Sequence, residues 1–162
     1  MTTRSTLMCA LLSVAVPAAT AQTGSFQTYQ ELAQRADLVI VGECQSAADT
    51  GERRSHPESS TALPVQEWRA TFRATAVLKA PQASTIGSAV PVRYLRFDYG
   101  RWRKLNPGAG LANAGMYVFL QPQQVYLLFL TKGPDGVYEP ASGHLFPNDS
   151  VYLLDRMSAV RN

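Results

Sequence analysis

Histidine and cysteine are scarce in this chain, two of each in 162 residues, and that scarcity removes several chemistries at once. His56 and His144 sit in no dense ligand spacing, so no metal centre is expected and both read as surface residues. There is no Gly-x-Ser-x-Gly, no His-Glu-x-x-His, no phosphate loop and no dinucleotide fingerprint. Asp98, Asp135 and Asp149 fall at strand ends and turns, where aspartate serves the backbone. The expectation is a protein that is not an enzyme, with no catalytic residue and no cofactor. Charge is sparse too: 17% of residues are charged and the formal net charge is +3. So small a balance does not point to a nucleic-acid partner. Internal repeats and heptads are absent.

Of the two cysteines, Cys9 lies in an early apolar run. Met1 to Arg4 is short with one cation, Ser5 to Val16 is uncharged, and Ala19-Thr20-Ala21 is a small-x-small cleavage pattern. The run is shorter than the ~20 residues a spanning helix needs, and no later stretch is longer. A signal peptide over 1–21 is expected, with cleavage near Ala21 and a secreted or periplasmic chain starting at Gln22. Cys44 would then be the one remaining cysteine, so no internal disulfide can form and the apolar core must hold the fold. Cys44 shares the pleat face of Leu38 and Ile40, which favours burial as a small hydrophobe. Residues 22–162 suit a single domain.

What the chain does have is strand pattern. Val125-Tyr126-Leu127-Leu128-Phe129-Leu130-Thr131 is uncharged, aromatic and branched, and reads as a strand buried on both faces. Gly133-Pro134-Asp135-Gly136 supplies a turn into Val137 to Pro140. Leu38 to Gln45 is another strand, with Gly42 marking a bulge. Glu67 to Lys79 alternates: Trp68, Ala70, Phe72, Ala74 on one face, Arg69, Thr71, Arg73, Thr75 on the other. Ala89 to Phe97 is a further strand, and Val151 to Leu154 a last strand or helical start. Ser25 to Arg35 reads as one short helix capped by Thr28 with Glu31. Ser46 to Gln66 and Asp98 to Gly115 read as irregular loops. The fold class is mainly β: a small OB-like barrel of about five to six strands with one short N-terminal helix.

Tyr29-x-Glu31-Leu32-Ala33-x-x-Ala36-Asp37-Leu38-Val39-Ile40-Val41-Gly42, Val77-Leu78-Lys79-Ala80, Tyr126 to Leu130 and Asp135-Gly136-Val137-Tyr138 together resemble a set of uncharacterised bacterial secreted small β-barrel proteins. The layout is similar to the OB-like barrel of the netrin and tissue-inhibitor-of-metalloproteinase class, which implies binding to proteins or matrix. In those inhibitors an N-terminal cysteine chelates the protease zinc. Here Gln22 would stand at that place and the disulfide framework is absent, so the zinc-chelating mechanism does not carry over.

One stretch interleaves cations with rings: Arg93, Tyr94, Arg96, Phe97, Tyr99, Arg101, Trp102, Arg103 and Lys104. OB barrels bind oligonucleotides and oligosaccharides near such elements, by stacking and by attracting anions. The same residues would also serve a half-buried strand with core aromatics and solvated arginines. The ligand-binding candidates are Arg93, Arg96, Tyr99, Arg101, Trp102, Arg103 and Lys104. The functional expectation is a non-catalytic binding module for an anionic glycan, envelope component or protein. The alternative is a protease inhibitor acting through the 46–66 loop.

Overall fold

The structure is a computed structural model that describes residues 28–57, 63–81, 86–108, 119–144 and 147–154. The signal peptide expected over 1–21 and its cleavage site lie outside those residues. Helix α1, Tyr29–Arg35, starts at a capping box. The Glu31 N–H donates to Thr28 Oγ1 at 3.2 Å, and the Thr28 N–H donates to Glu31 Oε2 at 2.7 Å. Its Leu32 is fully buried against Val39 and Phe129. At the other end Lys79 Nζ donates to the carbonyls of Ala33 at 2.8 Å, of Gln34 at 3.3 Å and of Ala36. Those are acceptors that a helix C-terminus leaves open.

The described strands are β1 Leu38–Ser55, β2 Pro64–Lys79, β3 Ala89–Phe97, β4 Val125–Lys132, β5 Tyr138–Pro140 and β6 Val151–Leu154. A second helix, α2, Tyr99–Leu105, joins β3 towards β4. Hydrogen bonds run in the order β1-β2-β3-β5-β4, β4 pairs back onto β1, and β6 adds to β4. The sheet therefore closes on itself as a small OB-like barrel. Closure needs bends, and β1 supplies them by slipping register between Val39 and Ile40, Val41 and Gly42, Cys44 and Ser46, and Asp49 and Arg53. At Gly42 a Cβ would stand 3.4 Å from both Phe72 Cβ and the Arg73 carbonyl oxygen, so glycine lets β1 coil tightly over β2.

Alternation fills the barrel. Leu38, Ile40 and Cys44 from β1, Ala70 and Phe72 from β2, Val90, Val92 and Tyr94 from β3, and Tyr126, Leu128 and Leu130 from β4 form one buried cluster. The intervening β4 residue Phe129 packs outward under α1 with Val39. Strand β4 is thus covered on both faces, as its uncharged run requires.

Barrel closure is thinnest between β3 and β5, where one parallel bridge joins Val92 to Tyr138. Side chains reinforce it. Arg93 Nη1 lies 2.8 Å from Asp135 Oδ2, Arg93 Nε donates to Glu139 Oε1 at 2.8 Å, and His144 Nε2 lies 3.3 Å from Glu139 Oε2. The β4–β5 turn that presents Asp135 has the anticipated chemistry. Gly133 N–H donates to the Val137 carbonyl at 2.8 Å, Asp135 Oδ1 accepts from Val137 N–H at 3.2 Å, and Gly136 sits at φ +82°.

Three expectations are corrected. The 46–66 stretch is not a free loop: β1 continues to Ser55 and pairs with β2 from Pro64 onward, leaving 56–63 as the connection. Its polar composition hid the ladder, because little of it is buried. The 98–115 stretch begins with α2, so the N-terminal helix is not alone. Neither histidine is a plain surface residue: His56 is 4% exposed, and His144 is held against Glu139. Glu67, at the start of the alternating strand, is also buried, with Arg54 at 3.2 Å and Arg69 at 3.5 Å.

Removing the Arg93 fork while keeping its stem, by Arg93→Met, should lower unfolding stability by about 1–3 kcal/mol, a partly buried charge network being worth less than a fully buried one. Desolvation pushes the Asp135 carboxyl up, but the Val137 N–H and the Arg93 charge outweigh it and hold the group below its ordinary value. Asp49 is lowered by Arg53, and Glu31 by the Thr28 backbone. A lowered carboxyl adds stability that is complete above its unfolded value, about 4, and is lost as pH falls through the folded value. Urea midpoints should therefore drop below about pH 4, and drop less steeply in Arg93→Met. An unchanged midpoint in the variant at neutral pH would contradict the reinforcing role of Arg93.

Candidate functional site

Helix α2 forms because Asp98 caps it. The Asp98 side chain accepts from Arg101 N–H at 2.9 Å, and its carbonyl accepts from Trp102 N–H at 2.9 Å. Arg103 and Lys104 fall in the last turn, where cations suit the helix dipole. Asn106 closes the helix ahead of Pro107 and Gly108. The helix has seven residues and no acidic side chain.

The structure divides the sequence-predicted residues into three groups. Arg93 belongs to the β3–β5 closure and is paired with Asp135 and Glu139, so it does not join the others. Tyr99, Arg101, Arg103 and Lys104 are exposed on α2, with the Arg103 guanidinium 5.4 Å from the Tyr99 ring centroid. Trp102 is half-buried against Phe97, ring centroids 5.7 Å apart, and anchors the helix to the barrel. Arg96 points from β3 to two rings, lying 4.2 Å from the centroid of Trp68 and 4.2 Å from that of Phe119. Sequence reasoning missed Trp68 and Phe119 as neighbours of Arg96. By pattern Trp68 is one more residue of an apolar strand face, and no short-range signal ties Phe119 to a strand more than twenty residues earlier.

Five arginines elsewhere are ion-paired. Arg53 meets Asp49 at 2.6 Å and Asp98 at 3.5 Å, Arg54 and Arg69 meet Glu67, Arg73 meets Glu43, and Arg93 meets Asp135 and Glu139. Arg96, Arg101, Arg103 and Lys104 have no ion pair among the described residues. One end of the barrel therefore carries uncompensated positive charge interleaved with rings, and can attract and stack against an anionic ligand.

Other features give less chemistry. Among the described residues no three His, Cys, Asp or Glu converge as metal ligands, and no helix is long and apolar enough to cross a membrane. An apolar groove of about 550 Å³ lies between α1, β1, β4 and the end of β2, walled by Tyr29, Ala33, Val39, Leu78, Leu127 and Phe129. Cys44 is fully buried, its Sγ 3.4 Å from the Ser46 carbonyl, and burial raises its thiol above the ordinary value. No protein-family model matches the chain, and neither does any curated protein.

The Cys44 thiol should accordingly resist a disulfide reagent at pH 8 in the folded protein and react fully in denaturant. Rapid labelling without denaturant would contradict its place in the barrel interior.

Proposed function

We propose that this chain is an exported, non-catalytic binding module whose ligand is an anionic polymer, held by α2 and the adjoining end of β3. The observation that carries the reading is the cluster of Arg101, Arg103 and Lys104 on one acid-free helix, none of them ion-paired among the described residues, while Arg53, Arg54, Arg69, Arg73 and Arg93 are all paired. An ion pair neutralises a guanidinium for a partner as well as for the fold, so the unpaired cations are the ones that attract. Tyr99, 44% exposed, adds a ring for contact. Export rests on the 1–21 leader in the sequence, and it places the ligand among envelope or extracellular polymers.

The test uses the chain from Gln22 onward on an immobilised polyanion, eluted with rising salt, beside Arg101→Ala/Arg103→Ala. The variant should elute at clearly lower salt, since exposed charges act within a Debye length of about 10 Å at 0.1 M salt. Melting temperature should change little, because neither side chain is buried or paired. Identical elution of the two proteins would refute the reading.

A further inference from the structure

The groove beside α1 holds about 550 Å³, within the roughly 300–1,000 Å³ typical of small-molecule sites. Its floor is Val39 and Phe129, each 4% exposed, and its walls include Tyr29 and Leu78, 59% and 63% exposed. No other large apolar side chain among the described residues is as exposed as Leu78. The groove is also preformed. The Tyr29 ring lies 4.8 Å from that of Tyr152 and 6.1 Å from that of Phe129, centroid to centroid. Helix α1 is pinned at both ends, by its capping box and by Lys79.

Charge along the groove is one-sided. Lys79 is the one charged residue lining it among the described residues. The α1 carbonyls take its ammonium hydrogens but are neutral groups, and Lys79 enters no ion pair among the described residues. The helix dipole offsets part of that charge, while Arg35 in the last turn adds a second cation at the same end. The acid of α1, Glu31, is held at the opposite end by Thr28. Apart from Lys79, only Gln30 and the Tyr29 hydroxyl bring polar side-chain atoms to the lining. A peptide laid there would give up water from its backbone groups with few partners in exchange. An alkyl chain has no such groups to satisfy.

We propose that this groove binds a fatty acid, its alkyl chain along Val39 and Phe129 between Tyr29 and Leu78, its carboxylate at the Lys79 end. The site goes beyond the polyanion reading and does not rest on it, because α1 packs against β1 and β4 whereas α2 packs against β2 and β3.

Octanoate, decanoate and dodecanoate, each below its micellar concentration, are titrated calorimetrically against the chain from Gln22 onward, beside dodecyltrimethylammonium. Affinity should rise by up to about fourfold per added methylene, the scale of burying one CH₂. Dodecyltrimethylammonium should bind at least about tenfold more weakly than dodecanoate, the scale of trading an attraction for a repulsion near the surface. Leu78→Asn, at an exposed position where folding is not at stake, should weaken dodecanoate at least about fivefold and leave the melting temperature unchanged. Lys79→Gln keeps a donor, removes the charge and should narrow the gap between the two head groups. No dodecanoate binding, a chain-length series that stays flat, or equal affinity for the two head groups in the unsubstituted chain would overturn the proposal. So would a dodecanoate affinity that falls with Arg101→Ala/Arg103→Ala but not with Leu78→Asn, since that would place the binding at α2.

Discussion

Everything distinctive about this barrel depends on how it closes. Two long antiparallel ladders, β1 with β2 and β2 with β3, and the pairing of β1 with β4, are stabilised by many backbone bonds. The remaining join, β3 to β5, has one bridge. Arg93, Asp135 and Glu139 complete it with charge-assisted hydrogen bonds, which are stronger than neutral ones. Closure at that point fixes the direction of β3, and with it the position of Asp98, the cap from which α2 departs. The same strand therefore carries a structural arginine and, three residues later on the opposite side of the pleat, an arginine with no acid partner among the described residues. Alternation in a strand separates the two roles.

Much of the frame is legible in the sequence, because each strand there obeys a local rule. The uncharged run at 125–131 can only be a doubly covered strand, and it is the one that pairs with β1, β5 and β6. The Thr28–Glu31 box, the Gly42 bulge and the Gly133–Gly136 turn are each chemistry confined to a few neighbouring residues. The strings at 36–42, 77–80 and 126–130 also meet in space: Val39 pairs with both Phe129 and Lys79, and Lys79 closes the end of α1. They describe how α1 is seated on the barrel, which is why they say more about architecture than about a ligand.

The rest is hidden for identifiable reasons. The outer ribbon of β1 and β2 is stabilised by its ladder and by ion pairs such as Arg53 with Asp49, with few buried apolar side chains to leave a period-two pattern. Helix α2 is short, contains Gly100 and is held by one aspartate cap, a signal that a turn would share. The burial of Glu67 follows from Arg54 and Arg69, one across the ladder and one along the strand, and pairing across a sheet has no trace in local sequence. The basic and aromatic stretch was visible as a composition. Its division into a closing arginine, a stacked arginine and an unpaired helix could be read only from the partners that the fold brings to each.

The most direct test of this division is hydrogen exchange by mass spectrometry on the chain from Gln22 onward, with and without a bound polyanion. Added protection should concentrate on the end of β3 and on α2, from Arg96 to Leu105, and leave β5 and the Asp135 turn as they were. Protection centred on the Arg93 closure, or on the apolar groove beneath α1, with α2 unaffected, would contradict the account.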